Sequence, residues 1–243
     1  MRKNAFDDGL RPELLERAKY DGIFELPRFE PPSRIIEPSG LVPFSNRKNA
    51  PKRFVHFYEH ETRYQNFTNR PEKFIADLST HPGLISPDNS VLVEAPLCAQ
   101  IANIFLSRRN GVFLQHSGLY VIPNVRWGDE RTFTTIELPE PIAFVGIPRS
   151  SIVSISTYGC CQTRDEKNLM HRGFLALLNF LHPVVVIVYG AMPKDVFFDF
   201  PYEPKILRFD NWGKERHAIA MTKRNDERTR NCGGTCEQLK LDL

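Results

Sequence analysis

The clearest hydrophobic pattern lies between residues 150 and 190. Over residues 165–181, Leu169, Phe174, Leu177, Leu178 and Leu181 fall on one stripe of a helix that His182-Pro183 closes. Residues 184–188 (VVVIV) follow as an unbroken apolar run ended by Gly190, and residues 152–156 form a β-rich segment before the helix, ended by Gly159. A strand this apolar is covered on both faces. The order strand–helix–strand therefore predicts a βαβ unit in a parallel sheet.

The centre of the chain repeats this rhythm. Residues 53–58 (RFVHFY) read as a strand and residues 71–78 (PEKFIADL) as a short helix with proline at its start. Residues 83–85 predict another strand, and Asp88-Asn89-Ser90 a turn. Residues 95–109 carry Leu97, Ile101, Ile104 and Phe105 at helical spacing, with Gly111 as the expected stop. Residues 119–122 complete the set as a strand that Pro123 ends.

The two ends differ. Pro27, Pro31, Pro32, Pro38 and Pro43 block a regular helix, and only residues 12–20 read as helical. Ile35, Ile36, Leu41 and Val42 suit an extended strap along a core. Beyond Pro193 the chain is expected to be irregular, with Phe197, Phe198, Phe200 and Tyr202 packing it back. The pattern predicts an arm over residues 1–50, an α/β core over 51–192 and an irregular extension over 193–243. The expected fold is one α/β domain with a mainly parallel sheet of five or six strands flanked by helices, as an open sheet or an incomplete barrel.

Length and charge narrow the function classes little. The 243 residues suffice for one sizeable core, and a net charge of +3 neither requires nor excludes nucleic acid. Local clusters matter more. Arg47, Lys48, Lys52 and Arg53 form one basic group, and Lys223, Arg224, Arg228 and Arg230 another; either could meet phosphates or simply be solvated. Five cysteines (Cys98, Cys160, Cys161, Cys232, Cys236) and no apolar leader predict a reducing, cytoplasmic setting. No apolar run approaches the length of a bilayer span, so no membrane association is expected.

No phosphate-binding Gly-Lys loop, dinucleotide glycine fingerprint, zinc-protease helix, esterase elbow or spaced Cys/His zinc signature occurs. What remains is positional, because ligands of parallel α/β proteins bind beyond the carboxyl ends of the strands. His56, Glu59 and His60 follow the first central strand, and Ser86 and Asp88 the second. Asn124, Arg126, Trp127 and Asp129 follow the third, Ser156 to Cys160 the fourth, and Tyr189 and Gly190 the last. Glu59 and Asp88, each at a strand end, are the acid/base candidates, and a paired-carboxylate mechanism would need them roughly 5–10 Å apart. His56, Asn124, Arg126, Trp127, Thr157 and Tyr189 are the candidate ligand contacts, with Trp127 or Tyr189 against a ring and Arg126 toward a negative group. His56 equally suits an internal, hydrogen-bonded histidine, and the small polar residues equally suit turns. Cys160 is a nucleophile only if its thiol pKa is lowered. Cys232 and Cys236 could be half a metal site or a redox pair, but two ligands do not make a structural zinc site. No cofactor is indicated, and no metal is assigned.

The segments RFVHFYEHETRY, LISPDNS, QIANIFLSRRNG, YVIPNVRWGDE, GIPRSSIVSISTYGC and PVVVIVYG, in that order over roughly residues 50–190, resemble successive blocks of an uncharacterised bacterial and phage family, domain of unknown function family 4417. The resemblance implies a protein of phages and mobile elements, with a role in replication, host takeover or defence. It transfers no catalytic residues. The proline-bearing arm and the Cys-Gly-Gly-Thr-Cys tail depart from it.

Three functions compete at this level. One is an enzyme acting on a polar or phosphorylated small molecule, including a nucleotide, at the strand-end rim. Another is a nucleic-acid-binding protein using residues 47–53, Arg108-Arg109 and the late basic group. The third is a non-catalytic interaction factor whose aromatic arms bury against a partner or a second copy.

Overall fold

The computed structural model describes residues 10–216 and residue 221. The chain forms two units, Met1–Phe209 and Asp210–Leu243. In the second, the Lys214 N–H donates to Asn211 Oδ1 at 3.0 Å. The first opens with β1 (Lys19–Asp21) and β2 (Leu26–Arg28), an antiparallel ribbon in which Tyr20 faces Pro27. Then come β3 (Leu41–Pro43), β4 (Phe54–His56), α1 (Gln65–Asn69), α2 (Ile75–Leu78) and β5 (Leu84–Ile85). α3 (Leu97–His116), β6 (Val121–Ile122), α4 (Glu130–Phe133) and β7 (Ile152–Ser156) follow. α5 (Arg164–Leu181), β8 (Val185–Tyr189) and β9 (Lys205–Phe209) complete the unit.

The α/β class with parallel sheets and flanking helices is as expected, but the strands are divided differently. β3-β4-β5-β6 form a four-stranded parallel sheet and β7-β8-β9 a three-stranded one, in place of a single sheet of five or six. An isolated parallel bridge, Asn124 opposite Ser154, meets both. There the Val125 N–H donates to the Ser154 carbonyl at 2.8 Å, and the Ser154 N–H to the Pro123 carbonyl at 2.9 Å. Among the described residues β3 and β9 do not pair, so no barrel closes.

The strands succeed one another in chain order, and one inner cluster draws on all seven parallel strands or the residues beside them. Leu41, Phe54, Tyr58, Ile85, Ile122, Ile152, Val185, Ile187 and Tyr189 form it, with Leu207 and Phe209 packed against it. Period two explains the selection: Val185, Ile187 and Tyr189 share one face of β8, while Val186 and Val188 are fully buried on the other. This two-sided burial is what the run VVVIV encodes. β9 was not legible in a segment read as irregular. It pairs in register with β8 but is only partly buried, so its pattern KILRF lacks a continuous apolar run.

The long helices obey local rules. α5 begins with a capping box: Thr163 Oγ1 accepts from the Glu166 N–H, and the Glu166 carboxylate accepts from the Thr163 N–H. It ends at His182, in the left-handed region before Pro183. α3 runs seven residues past its expected end, because Gly111 does not stop it. That glycine lies inside the helix where a Cβ would stand 2.4 Å from the Phe29 ring and 2.8 Å from Ser86 Cβ. The actual stop is Gly118 at φ 86°, where the Gly118 and Leu119 N–H groups cap the Gln115 and Leu114 carbonyls. The helix expected over residues 12–20 shrinks to a 3-10 turn, Pro12–Leu15, because Lys19 already pairs across the β1–β2 ribbon.

Candidate functional site

The carboxyl ends of β4 to β7 carry a connected polar chain. Ser86 and Asp88 follow β5, and the Ser86 hydroxyl accepts the Asn124 backbone N–H at 2.8 Å. Asn124, just after β6, donates through Nδ2 to Asp88 Oδ1 at 2.8 Å and accepts at Oδ1 from the Tyr58 hydroxyl at 2.9 Å. The Tyr58 oxygen also lies 2.7 Å from Ser154 Oγ on β7. With Tyr58 donating to Asn124, the Ser154 hydroxyl donates to Tyr58, so every proton on this path points toward Asp88. The second Asp88 oxygen lies 3.6 Å from Arg126 Nη1, and the Arg126 charge also acts on the Cys160 thiol. The Tyr64 hydroxyl fixes the Asp88 backbone by donating to its carbonyl at 2.6 Å.

Burial sets the electrostatics. It pushes the Asp88 carboxyl up, with the Arg126 guanidinium and the Asn124 amide opposing. The Asp88 charge in turn holds Arg126 protonated above its usual range, against its own burial. Burial and the Asp88 charge raise the Tyr58 phenol. Burial also raises Cys160, Arg126 opposing, and pushes Cys161 up to about 11. The lowered thiol pKa that would make Cys160 a ready nucleophile is therefore absent.

Arg126 and Cys160 open onto a cavity of about 210 Å³. Val91, Leu92 and Val93 form one wall, and Trp127, Leu169 and Met170 another. Val125 and Arg126 come from beyond β6, Ile155 and Ser156 from β7, so both sheets contribute. Trp127 reaches this position because residue 173 of α5 is glycine; a Cβ there would stand 2.3 Å from the indole. Glu166 is also on the wall, but its carboxylate accepts the Gln162 and Thr163 N–H groups.

The other predicted residues are distributed as follows. His56 is fully buried, stacked against Tyr58 and Tyr189, with Nδ1 accepting the Tyr58 N–H at 3.1 Å and Nε2 without a hydrogen-bond partner. Burial pushes this imidazole down to about 3. Tyr189 packs in the inner cluster, and the Thr157 hydroxyl donates to the Ala191 carbonyl at 2.6 Å. Glu59 is not joined to Asp88: its two oxygens accept the Ser45 N–H at 2.8 Å and the Ser45 hydroxyl at 2.6 Å.

The basic candidates also separate. Arg47 bonds Asp77 at 2.6 Å and lies over the Phe44 ring, and Arg53 donates to the Leu41 carbonyl; Lys48 and Lys52 are exposed. Arg108 and Arg109, expected on phosphates, are each 1% exposed. Arg108 donates to the Val145, Asn124 and Ala143 carbonyls, and Arg109 to those of Leu10 and Thr68, which corrects that expectation. Lys223, Arg224, Arg228, Arg230, Cys232 and Cys236 lie outside the described residues. Tyr58 and Ser154 went unnoticed in the sequence, and Arg108 reads there only as a phosphate contact. The only signal was polar atoms within apolar runs, which the alternation of a strand also produces. Among the described residues no group of three or more His, Cys, Asp or Glu side chains could hold a metal, and no helix is long and apolar enough to cross a membrane.

Comparison with known proteins adds kinship. The chain is 27% identical over 147 residues to the Gene 1 protein of Mycobacterium phage L5, covering 60% of this chain and 61% of that protein. It is 24% identical over 167 residues to the Gene 1 protein of Mycobacterium phage D29, covering 68% and 58%. The matched region thus spans about three fifths of the length of these relatives. No solved structure matches. The family model described as a domain of unknown function, DUF4417, matches residues 18–210, a span that takes in every strand and the whole polar chain, and the protein belongs to that family.

Proposed function

We propose that the protein binds a small molecule at the carboxyl ends of its parallel strands, in the cavity between Val91–Val93 and α5. The observation that carries this reading is Arg126. A half-buried guanidinium beside Asp88 faces an otherwise mostly apolar cavity, and such convergence of a few polar groups on an apolar pocket characterises ligand sites. Arg126 and the Ser156 and Cys160 side chains would touch the ligand. Asp88 stands behind Arg126 and orients it, and Asn124 and Tyr58 hold Asp88, so these three are positioning residues.

An enzymatic reading of the same site is weaker, because burial raises the Cys160 thiol and Asp88 stands behind Arg126 rather than on the cavity wall. Glu59 has no part in it, because Ser45 occupies both of its oxygens. The nucleic-acid reading is weaker, since Arg47, Arg53, Arg108 and Arg109 are engaged inside the fold.

The test is retention. Protein incubated in a host metabolite extract and washed is denatured, and the released small molecules are identified by mass spectrometry. A compound retained by the wild type and lost in Leu169→Trp, which fills the cavity, is expected. Identical profiles from the two proteins would remove the reading.

A further inference from the structure

Resting on that reading of the cavity, the charge arrangement around Arg126 points to a ligand class: we infer that the site takes an uncharged, one-ring carbonyl or amide compound and discriminates against phosphates and carboxylates. The Arg126 guanidinium is the one cationic group on the wall among the described residues. It is matched from behind the wall by Asp88 Oδ2 at 3.6 Å, and Glu166 places a second carboxylate on the wall itself. Counting one positive against two negative groups, an entering anion meets no net attraction and also loses its hydration.

A neutral acceptor has no such penalty. Guanidinium has five N–H donors in a plane, and one charge contact to Asp88 leaves donors for a carbonyl oxygen. The N-terminus of α5, which would otherwise offer an anion its free N–H groups, is closed by the Thr163–Glu166 capping box. The remaining walls, among them Trp127 and Met170, suit an apolar ring, and about 210 Å³ is below the usual range for whole drug-sized ligands.

The discriminating pair is benzamide and benzoate, which share ring and size and differ in charge. Cys160 is the reporter, because it lines the cavity, and exposed Cys98 is the internal reference. Iodoacetamide labelling of each site in the full chain is followed by peptide mass spectrometry, with benzamide, uracil, benzoate or inorganic phosphate present. The expected result is that benzamide or uracil slows Cys160 labelling relative to Cys98, by about threefold at roughly twice its dissociation constant, while benzoate and phosphate do not. Asp88→Asn removes the carboxylate nearest Arg126 and leaves one carboxylate, Glu166, against it, so benzoate should gain protection relative to benzamide.

Protection of the wild type by benzoate or phosphate alone overturns the ligand class while leaving a small-ligand site in place. Equal protection by benzamide and benzoate overturns it in the same way, because charge then plays no part. If none of the four protects Cys160, the ligand class fails. If the retention experiment is negative as well, the small-ligand reading fails with it.

Discussion

Replacing His56 by phenylalanine should remove an acid sensitivity that the fold builds into its centre. The imidazole is fully buried and held neutral down to about pH 3, whereas in the unfolded chain it takes up a proton near 6.5. The unfolded state therefore binds more protons between these values. Stability is complete above about pH 6.5 and falls as the pH drops toward 3. At pH 5 the linkage amounts to about 2 kcal/mol, and at pH 7.5 to almost nothing. His56→Phe keeps the ring against Tyr58 and Tyr189 and removes the unpartnered Nε2, but it also leaves the Tyr58 N–H without its acceptor, at about 1–3 kcal/mol. That cost is the same at both pH values. Urea unfolding followed by tryptophan fluorescence at pH 7.5 and pH 5 gives the comparison. The wild type should lose about 2 kcal/mol more than the variant on acidification. Asp88, raised by burial, acts in the opposite direction but is common to both proteins and cancels in the difference. Parallel losses in the two proteins would show that His56 is protonated in the fold, and the reasoning from burial would fall.

Three further changes test the packing that supports the site. Gly111→Ala should destabilise by about 1–3 kcal/mol, read from the urea midpoint, because its Cβ meets the Phe29 ring; an unchanged midpoint would mean that Phe29 yields freely. Thr163→Ala should cost about 1 kcal/mol by opening the capping box of α5, whereas Thr163→Ser should recover most of it in thermal melts. Arg108→Leu leaves the Val145, Ala143 and Asn124 carbonyls without their donor and should cost at least about 3 kcal/mol; a near-native melting temperature would show that water replaces the guanidinium.

These residues also show why part of the molecule was legible in the sequence and part was not. α5, β7 and β8 announced themselves because each buries a full-length apolar face, and periodicity records burial directly. β5 and β6 were legible from short apolar runs bounded by turns, but β3 has three residues, too few to display a period, and reads only as an extended strap, and β9 is half exposed. Gly111 reads as a helix stop when the cause of the glycine is contact with another segment, which local rules cannot see. The same limit explains the arginines. Arg108 and Arg109 look like surface charge, yet their partners are carbonyls brought there by the chain's return at residues 143–145 and by the segment near residue 10. Position after a strand did bring Asp88, Asn124 and Arg126 to one place. It could not tell that Glu59, also after a strand, would be taken by Ser45, nor that Tyr58 would link two sheets through its hydroxyl.

The bridge of Asn124 and Ser154 has a consequence for how the molecule moves. Among the described residues, the ladder between the four-stranded and three-stranded sheets comes down to the amides of Val125 and Ser154, while Val125 and Ile155 on either side of it also line the cavity. A seam this narrow is where local opening should begin, and anything seated in the cavity would rest on both lips of it. Occupancy would then act as a staple, slowing hydrogen exchange at these two amides before it alters any other part of the sheets.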